Sequence, residues 1–491
     1  MRRGLLALLV LSLLGLVAPA AANASGTWLP QPNASFSPDY AKANVAVSDG
    51  QGNFYVGGSF TSIDGVTMNS IARYDTTNNT WHAMGSGVVR GVGIGGEVRD
   101  IVVGSNGLVY VAGEFVSAGG VTSKGIAIWN PSTGSWSAFS QPLSVYGGVY
   151  DLEFRNGTLY AAGYLNSQVG GREKIWAWDG QTWSSLPGQF SNTINHMAFD
   201  GNGDIYVVGN FSKVWNPATE DPVVVNNVAK FNGERWVAMG AGSPDLTFSN
   251  KVKIHAGDVY VAVNPNPMHD ETARIRKWSN GSWTNIAWLG PATIRDFTWD
   301  ANDDLMVAGG IYWPSLGIRG IAKWSSQSQS WSPVMGEIEG SVNALTSDGQ
   351  GGYYAAGNFL GQNSNGVTYG EVFAHFDLSP GTLTFSSTVF PSTTMNVAAQ
   401  KTVTVTHAGG TAVTINSVNV RDGVPTALVT KSTDTCNGAT LNAGNTCAIT
   451  LDWGGGFPDG LNGYVLEVAY TPSGGAQVVK SLPLAGHVSS H

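Results

Sequence analysis

One position in this chain carries an ionisable side chain five times over, at intervals of roughly 50 residues: Asp100, Asp151, His196, Lys251 and Asp296. Arg99 and Arg295 directly precede two of the aspartates. Three carboxylates, one imidazole and three cations gathered in one place could do two kinds of chemistry. Paired carboxylates act as general acid and base in glycoside cleavage. Asp and His together can hold a metal ion. The same groups also suit a plainer role, a ring of solvated side chains in which each Arg pairs with the Asp beside it. A nucleophile, its base and an orienting group are not visible as a set. No residue is therefore given a catalytic role, no metal or cofactor is expected, and the seven residues are read as candidate ligand contacts.

The elements that must position them come from a repeated phrase. Phe54-Tyr55-Val56-Gly57-Gly58-Ser59-Phe60 returns as Val109-Tyr110-Val111-Ala112-Gly113-Glu114-Phe115 and as Leu159-Tyr160-Ala161-Ala162-Gly163. It returns again as Ile205-Tyr206-Val207-Val208-Gly209-Asn210-Phe211 and Tyr353-Tyr354-Ala355-Ala356-Gly357-Asn358-Phe359. Weaker copies begin at Val259 and Leu305, making seven. A repeat of this length is one supersecondary unit used many times. Each unit reads as four strands: a short apolar inner strand, a hairpin turn such as Ser105-Asn106-Gly107, the phrase itself, and a third strand such as Ile126-Ala127-Ile128-Trp129. The fourth strand carries Trp81, Trp136, Trp183, Trp236, Trp283 or Trp331, which recur at one repeat position and are expected to pack between sheets. Aligning the units on the phrase's tyrosine puts Val45, Asp100, Asp151, His196, Lys251, Asp296 and Ala344 near the starts of the inner strands.

These spacings fit four-stranded blades around an axis, so the expected fold is all-β, a seven-bladed β-propeller over residues 25–378. The seventh unit lacks its tryptophan strand, and Thr27-Trp28-Leu29-Pro30 is expected to supply it from the N-terminus. In such a ring the inner-strand starts and the loops joining second to third strands build the mouth. The variable loops are Val116–Lys124, Ser212–Asn227 and Asn264–Arg274. The turns Asp49-Gly50-Gln51-Gly52-Asn53, Asp200-Gly201-Asn202-Gly203-Asp204, Asp300-Ala301-Asn302-Asp303-Asp304 and Asp348-Gly349-Gln350-Gly351 have a calcium-loop flavour. They lack the downstream bidentate Glu of that motif and sit where a hairpin must turn in any case.

The motif Gly57-Gly58-Ser59-Phe60-Thr61, Asp64-Gly65-Val66, Ile71-Ala72-Arg73-Tyr74, Trp81 resembles a kelch-type repeat, as do Gly113–Phe115, Gly119-Gly120-Val121, Ile126–Trp129 and Trp136. It is most similar to the repeats of fungal cortical cell-polarity markers and their exported bacterial relatives. The propeller of galactose oxidase is a more distant likeness. The resemblance implies the propeller fold and leaves function open, since propellers host many activities. Radical-copper oxidation needs a propeller cysteine crosslinked to tyrosine, and the only cysteines, Cys436 and Cys447, lie beyond the repeats.

After Ser379-Pro380-Gly381 the periodicity changes to short alternating runs such as Lys401–Thr406, Cys447–Leu451 and Tyr464–Val468. Residues 379–491 are expected to form an immunoglobulin-like β-sandwich. The order Phe385, Phe390-Pro391, Thr406–Gly410, Cys436, Leu441, Gly444, Cys447 resembles bacterial modules of the choice-of-anchor and hydin type. Two cysteines this close in an exported chain read as one local disulfide, a closure worth roughly 3 kcal/mol.

Export is expected from the first residues. Met1-Arg2-Arg3, an apolar run from Leu5 to Val17 and the small residues ending Ala22-Asn23-Ala24 form a signal-peptide pattern over residues 1–24. No later stretch is long enough to span a bilayer. Charged residues make up 12% of the chain, about half the usual share. With net charge −9 and no basic run, nucleic-acid binding is disfavoured. The leading expectation is a secreted, periplasmic or cell-surface binding or adhesion protein that presents propeller loops to a glycan or protein partner. A carbohydrate-active hydrolase or lyase using the Asp100, Asp151, His196, Asp296 funnel is the alternative. A structural envelope or matrix component is the third.

Overall fold

A computed structural model describes the short strand Thr27–Trp28 and most of residues 34–491; outside the description lie residues 1–26, 29–33 and a set of connecting stretches, the longest being 241–248, 265–271, 422–428 and 455–463. The signal-peptide pattern, Ser379-Pro380-Gly381 and most of the Asn264–Arg274 loop fall outside the described residues. Among those described, no helix is long and apolar enough to cross a membrane.

Among the described residues the repeat folds into seven four-stranded antiparallel sheets of one meander order. Their inner strands are Lys42–Ser48, Glu97–Val103, Val145–Arg155, Ile194–Phe199, Ser249–His255, Thr293–Trp299 and Ile338–Ser347; these are sheets one to seven below. Each second strand carries the repeated phrase. Sheet seven takes its outermost strand from the N-terminus: Thr27 pairs with Asp377 and Trp28 with Phe376. This is the all-β architecture of a β-propeller.

Alternation along the strands explains how the sheets stack. Successive side chains of a strand point to opposite faces. Phe54 and Val56 enter an apolar cluster with Tyr354 and Phe373 of sheet seven, while Tyr55 enters one with Val109 and Val111 of sheet two. Similar clusters lie between every consecutive pair. The outer tryptophans belong to this packing. Trp136 pairs across the strands with Trp129, Trp183 with Trp178, Trp236 with Phe231, Trp283 with Trp278 and Trp331 with Trp324. Their ring centroids lie 5.1–5.5 Å apart. Four of them also tie sheets together: the indole Nε1–H of Trp136, Trp236 and Trp283 donates to a carbonyl just past the outer strand of the preceding sheet, and that of Trp331 to the Trp288 carbonyl within it.

Two segments expected as variable loops are hairpins. Ser117–Ala118 pairs with Val121–Thr122 and with Val88–Gly91, and Lys213–Trp215 pairs with Val223–Val224 and with Gln189–Phe190. Each connection thereby satisfies its backbone groups against the segment that leads into its own inner strand.

Residues 383–489 contribute two further four-stranded sheets, one containing Ala399–His407 and Thr446–Trp453, the other Val413–Arg421 and Val465–Pro472. They share a core of Val403, Val405, Ile415, Ile449, Leu451, Trp453, Leu466 and Val468. Cys436 and Cys447 form a disulfide and are both buried members of this core.

Candidate functional site: a bulge ring at the mouth and a charged channel below it

The glycine of the repeated phrase sets the geometry of the site. In every sheet the pairing of inner and second strands skips one residue: Asn44, Arg99, Tyr150, Asn195, Asn250, Arg295 and Asn343 are the extra residues. Each is a β-bulge, which kinks a strand and re-aims a side chain. The bulge pushes the inner backbone against the second strand. A Cβ on Gly113 would lie 2.0 Å from the Glu97 carbonyl oxygen, and one on Gly309 would lie 1.8 Å from that of Thr293. Glycine leaves that space in six of the seven sheets, and sheet five carries Val263 at the position.

The bulge residues from all seven inner strands line one cavity of about 650 Å³. Four are asparagine, two arginine and one tyrosine. The cations here are largely neutralised. Lys42 Nζ lies 2.8 Å from Glu97, and Arg99 contacts Glu114 at 2.5 Å and Glu97 at 3.7 Å while covering the Tyr150 ring at 4.7 Å. Arg90 pairs with the same Glu114. The expected Arg–Asp pairing of neighbours is therefore corrected: Arg99 reaches glutamates, because the bulge turns it away from Asp100. Arg295 is exposed at the cavity. The Asn44 amide donates to Glu97 and to the Val98 carbonyl, and the Asn343 amide donates to the Ala43 carbonyl at 2.9 Å.

The residue after each bulge does different work. Asp100 accepts the Leu152 N–H at 2.7 Å, Asp151 that of Met197 at 2.8 Å, and Asp296 that of Leu345 at 2.9 Å. Each donor lies two residues past the bulge of another sheet. An inner strand is the edge of its sheet, so half of its N–H groups lack a partner within that sheet. The aspartates supply one and join neighbouring sheets.

The predicted His196 and Lys251 converge with them, together with Lys253, which the sequence did not single out. His196 Nε2 is 3.3 Å from Asp151, and Lys253 Nζ is 2.8 Å from Asp296. Lys251 is held charged: burial works against its charge, but Asp296, Asp100, Asp151 and Glu153 outweigh it and raise its pKa. Burial pushes the Asp100 carboxyl up to about 6 despite Lys251, and the Glu153 carboxyl up to about 7, Asp100 adding repulsion. Burial and the Asp100 and Glu153 charges raise Asp151 well above the usual carboxylate range. Asp296 goes the other way, since Lys253 and Lys251 overcome its burial and hold its pKa low. Burial and the two lysines keep His196 well below the ordinary imidazole value. Lys253 is depressed by burial. Towards the hairpin end a second cavity of about 500 Å³ opens among Glu153, Arg155, His196, Lys251, Lys253 and Trp299.

Asp100, Asp151, His196, Lys251 and Asp296 thus form one electrostatically coupled charged layer, with Arg99 and Arg295 separated from it in the mouth. Glu153 and Lys253 belong to the charged layer and the four asparagines and Tyr150 to the mouth. Neither group stands out by residue type in the sequence, although Asn recurs at one aligned position, which is a usable signal. The hairpin aspartates are occupied locally. Asp49 accepts the N–H groups of Gln51 and Asn53, Asp200 those of Asn202 and Asp204, Asp300 that of Asp304, and Asp348 that of Gly352. Among the described residues no group of three or more His, Cys, Asp or Glu side chains is placed to hold a metal ion.

The fold is that of a β-propeller in which one cavity is lined by a bulge residue from every inner strand. Residues 31–193 and 93–255 match the family model of the Rax2 C-terminal beta propeller domain, so the chain carries a kelch-like β-propeller domain of the Rax2 type. No curated protein matches the chain. Among solved structures it is similar to the extracellular domain of a provisionally assigned one component system from B. thetaiotaomicron (11% identity, 94% of this chain and 59% of that one, TM-score 0.46). It is also similar to the GH74 xyloglucanase from Xanthomonas campestris (10%, 78% and 60%, TM-score 0.44) and to YCF48 bound to D1 peptide (12%, 72% and 99%, TM-score 0.42). The chain spans about three fifths of the first two of these proteins.

Proposed function

We propose that this is an exported, non-catalytic binding or adhesion protein whose ligand, a glycan, sits in the mouth. In this reading the seven meander sheets are the blades of one propeller closed by Thr27–Trp28. Residues 379–491 form an immunoglobulin-like module that spaces or docks it. The observation that carries the proposal is the bulge ring: seven inner strands each place one side chain at the same cavity, and six of the seven end in an amide or guanidinium. Amides and guanidinium groups bind hydroxyl-rich ligands through directed hydrogen bonds. The carboxylates that a hydrolase or lyase would need are engaged below, each of three aspartates with an oxygen on a backbone N–H.

The enzyme reading retains one supporting observation. Asp100 and Glu153 hold protons up to about pH 6 and 7, as a general acid must. A polysaccharide pull-down on residues 25–491, followed by a reducing-end assay of the bound material, separates the two. Retention without cleavage, lost in an Arg295→Ala/Asn250→Ala double variant, is the expected result. Cleavage that disappears in Glu153→Gln would replace the binding reading with the enzyme.

A further inference from the structure

The face around the mouth carries large aromatic side chains in solvent. Tyr164, Trp288 and Tyr312 are 46%, 49% and 62% exposed. Exposed aromatics scattered singly over a surface need no explanation. These three are placed by register at one end of the molecule. Tyr164 pairs with Gly148, two residues before the mouth residue Tyr150. Trp288 pairs with Arg274, which pairs with Val263, opposite Ser249, the residue before Asn250. Tyr312 lies two residues beyond Gly310, which pairs with Thr293, two before Arg295.

Each ring is also backed by a cation. Lys174 Nζ stands 4.9 Å from the Tyr164 centroid, Arg274 5.1 Å from that of Trp288, and Arg319 4.9 Å from that of Tyr312. Lys174 and Arg274 are themselves buried, at 3% and 2% exposure. A buried cation against one face fixes the ring and leaves the other face to water. A fixed flat apolar face beside hydrogen-bonding groups is a stacking platform for the C–H face of a pyranose.

We infer that the mouth and this aromatic rim together bind a neutral polysaccharide along its length, the chain crossing from the bulge ring onto Tyr164, Trp288 and Tyr312. The inference rests on the glycan reading above and adds the class of ligand. A neutral class is favoured by the pairing of Lys42 and Arg99 with Glu97 and Glu114, which leaves the bulge asparagines and one cation, Arg295, facing the cavity. Polymer length follows from the spread of the platforms over sheets three, five and six, outside the mouth itself.

The test measures binding of residues 25–491 to a soluble β-1,4-glucan, a soluble β-1,4-linked N-acetylglucosamine polymer and polygalacturonate, each beside its own short oligosaccharide. The parent is compared with a Tyr164→Ala/Trp288→Ala/Tyr312→Ala rim variant and with Arg295→Ala. The expected result is that a neutral polymer binds about 10–100-fold tighter than its oligosaccharide, as added subsites on one chain allow. The rim variant loses that gain and keeps the oligosaccharide, and Arg295→Ala weakens both. A rim variant that holds the polymer as the parent does overturns the inference and leaves the mouth reading standing. Retention of polygalacturonate alone overturns the neutral class. Failure of the parent to bind any saccharide, long or short, removes the glycan reading and the inference with it, in favour of a protein partner.

Discussion

The mouth and the channel beneath it are built from adjacent residues and do opposite things. Arg99 and Asp100 are neighbours, as are Arg295 and Asp296, yet the first of each pair faces the open cavity and the second is tied to another sheet. A regular strand would also send them to opposite faces. The bulge keeps them apart as well and sets which of the two lines the cavity, since the extra residue does so in all seven sheets. The comparison teaches that a residue's place relative to the bulge, more than its charge, separates a group available to a ligand from one consumed by the fold.

The sharpest way to break this comparison is to remove a channel aspartate. Asp296→Ala strips an acceptor from the Leu345 N–H and leaves Lys253 without its partner. Breaking a buried charged pair in this way costs about 3–5 kcal/mol. Urea unfolding should show that loss for the propeller transition, and Asp296→Asn should recover part of it through the remaining amide oxygen. A loss under about 1 kcal/mol in the alanine variant would return Asp296 to the set of free, ligand-facing groups.

The bulge itself comes next. Gly309→Ala places a methyl against the Thr293 carbonyl, so the inner strand must straighten or shift. Overpacking of this kind costs about 1–3 kcal/mol. Because the shift re-aims Arg295, saccharide binding should fall together with stability. Gly50→Ala is the contrast. It sits at positive φ in an exposed hairpin turn with nothing near its Cβ, and it should lose some stability from backbone strain while leaving binding unchanged.

Much of this was legible in the sequence. The phrase Val-Tyr-Val-Ala-Gly marked the second strand, the hairpin residues marked its start, and the tryptophans marked the outer strand. Aligning on Tyr110 and its counterparts put Asp100, Asp151, His196, Lys251 and Asp296 at one repeat position, and each is the residue that follows its sheet's bulge. The bulge was not legible, because it is a property of pairing between two strands and leaves only a glycine on one of them. Sheet five bulges with Val263 in the glycine's place, so even that mark is incomplete. Without the bulge, Arg99 looks like the partner of Asp100, and Asn44, Asn195, Asn250 and Asn343 look like ordinary turn-prone residues. Glu153 and Lys253 were missed because they lie two residues further along, where the other units carry neutral side chains such as Val102, Ala198 and Thr298.

Protonation tests the channel layer by itself. Asp100, Asp151 and Glu153 have pKa values raised on folding, so the folded state binds protons more tightly than the unfolded chain. Their contribution is fully present below the unfolded carboxylate values; that of Asp100 is lost as pH rises through about 6 and that of Glu153 through about 7, while that of Asp151 persists well above the usual carboxylate range. His196 acts in the opposite sense. Its pKa is depressed, so stability is lost as pH falls below its ordinary value near 6.5. Between pH 8 and 6.5 the carboxyls act alone, and stability should rise on acidification by about 1–2 kcal/mol. Below pH 6.5 His196 blunts the rise. Denaturant midpoints across pH 5–8 for the parent, Glu153→Gln and His196→Asn read this directly. Glu153→Gln should flatten the slope above pH 6.5, and His196→Asn should prolong the rise below it.

The smallest expected effect on folding falls on the residue placed to matter most for binding. Arg295 is exposed and projects from the bulge into the mouth. Arg295→Ala should therefore change unfolding free energy by no more than about 0.5 kcal/mol, the scale of a surface substitution. Asn343→Ala lies at the equivalent bulge but gives up the bond to the Ala43 carbonyl, and should cost about 1 kcal/mol. If both weaken saccharide binding to a similar degree while differing in stability, the mouth positions share one function and differ only in how far each also joins the sheets. If Arg295→Ala instead destabilises the propeller as Asp296→Ala does, the separation of mouth from channel fails at the one pair of neighbours where it is drawn most clearly.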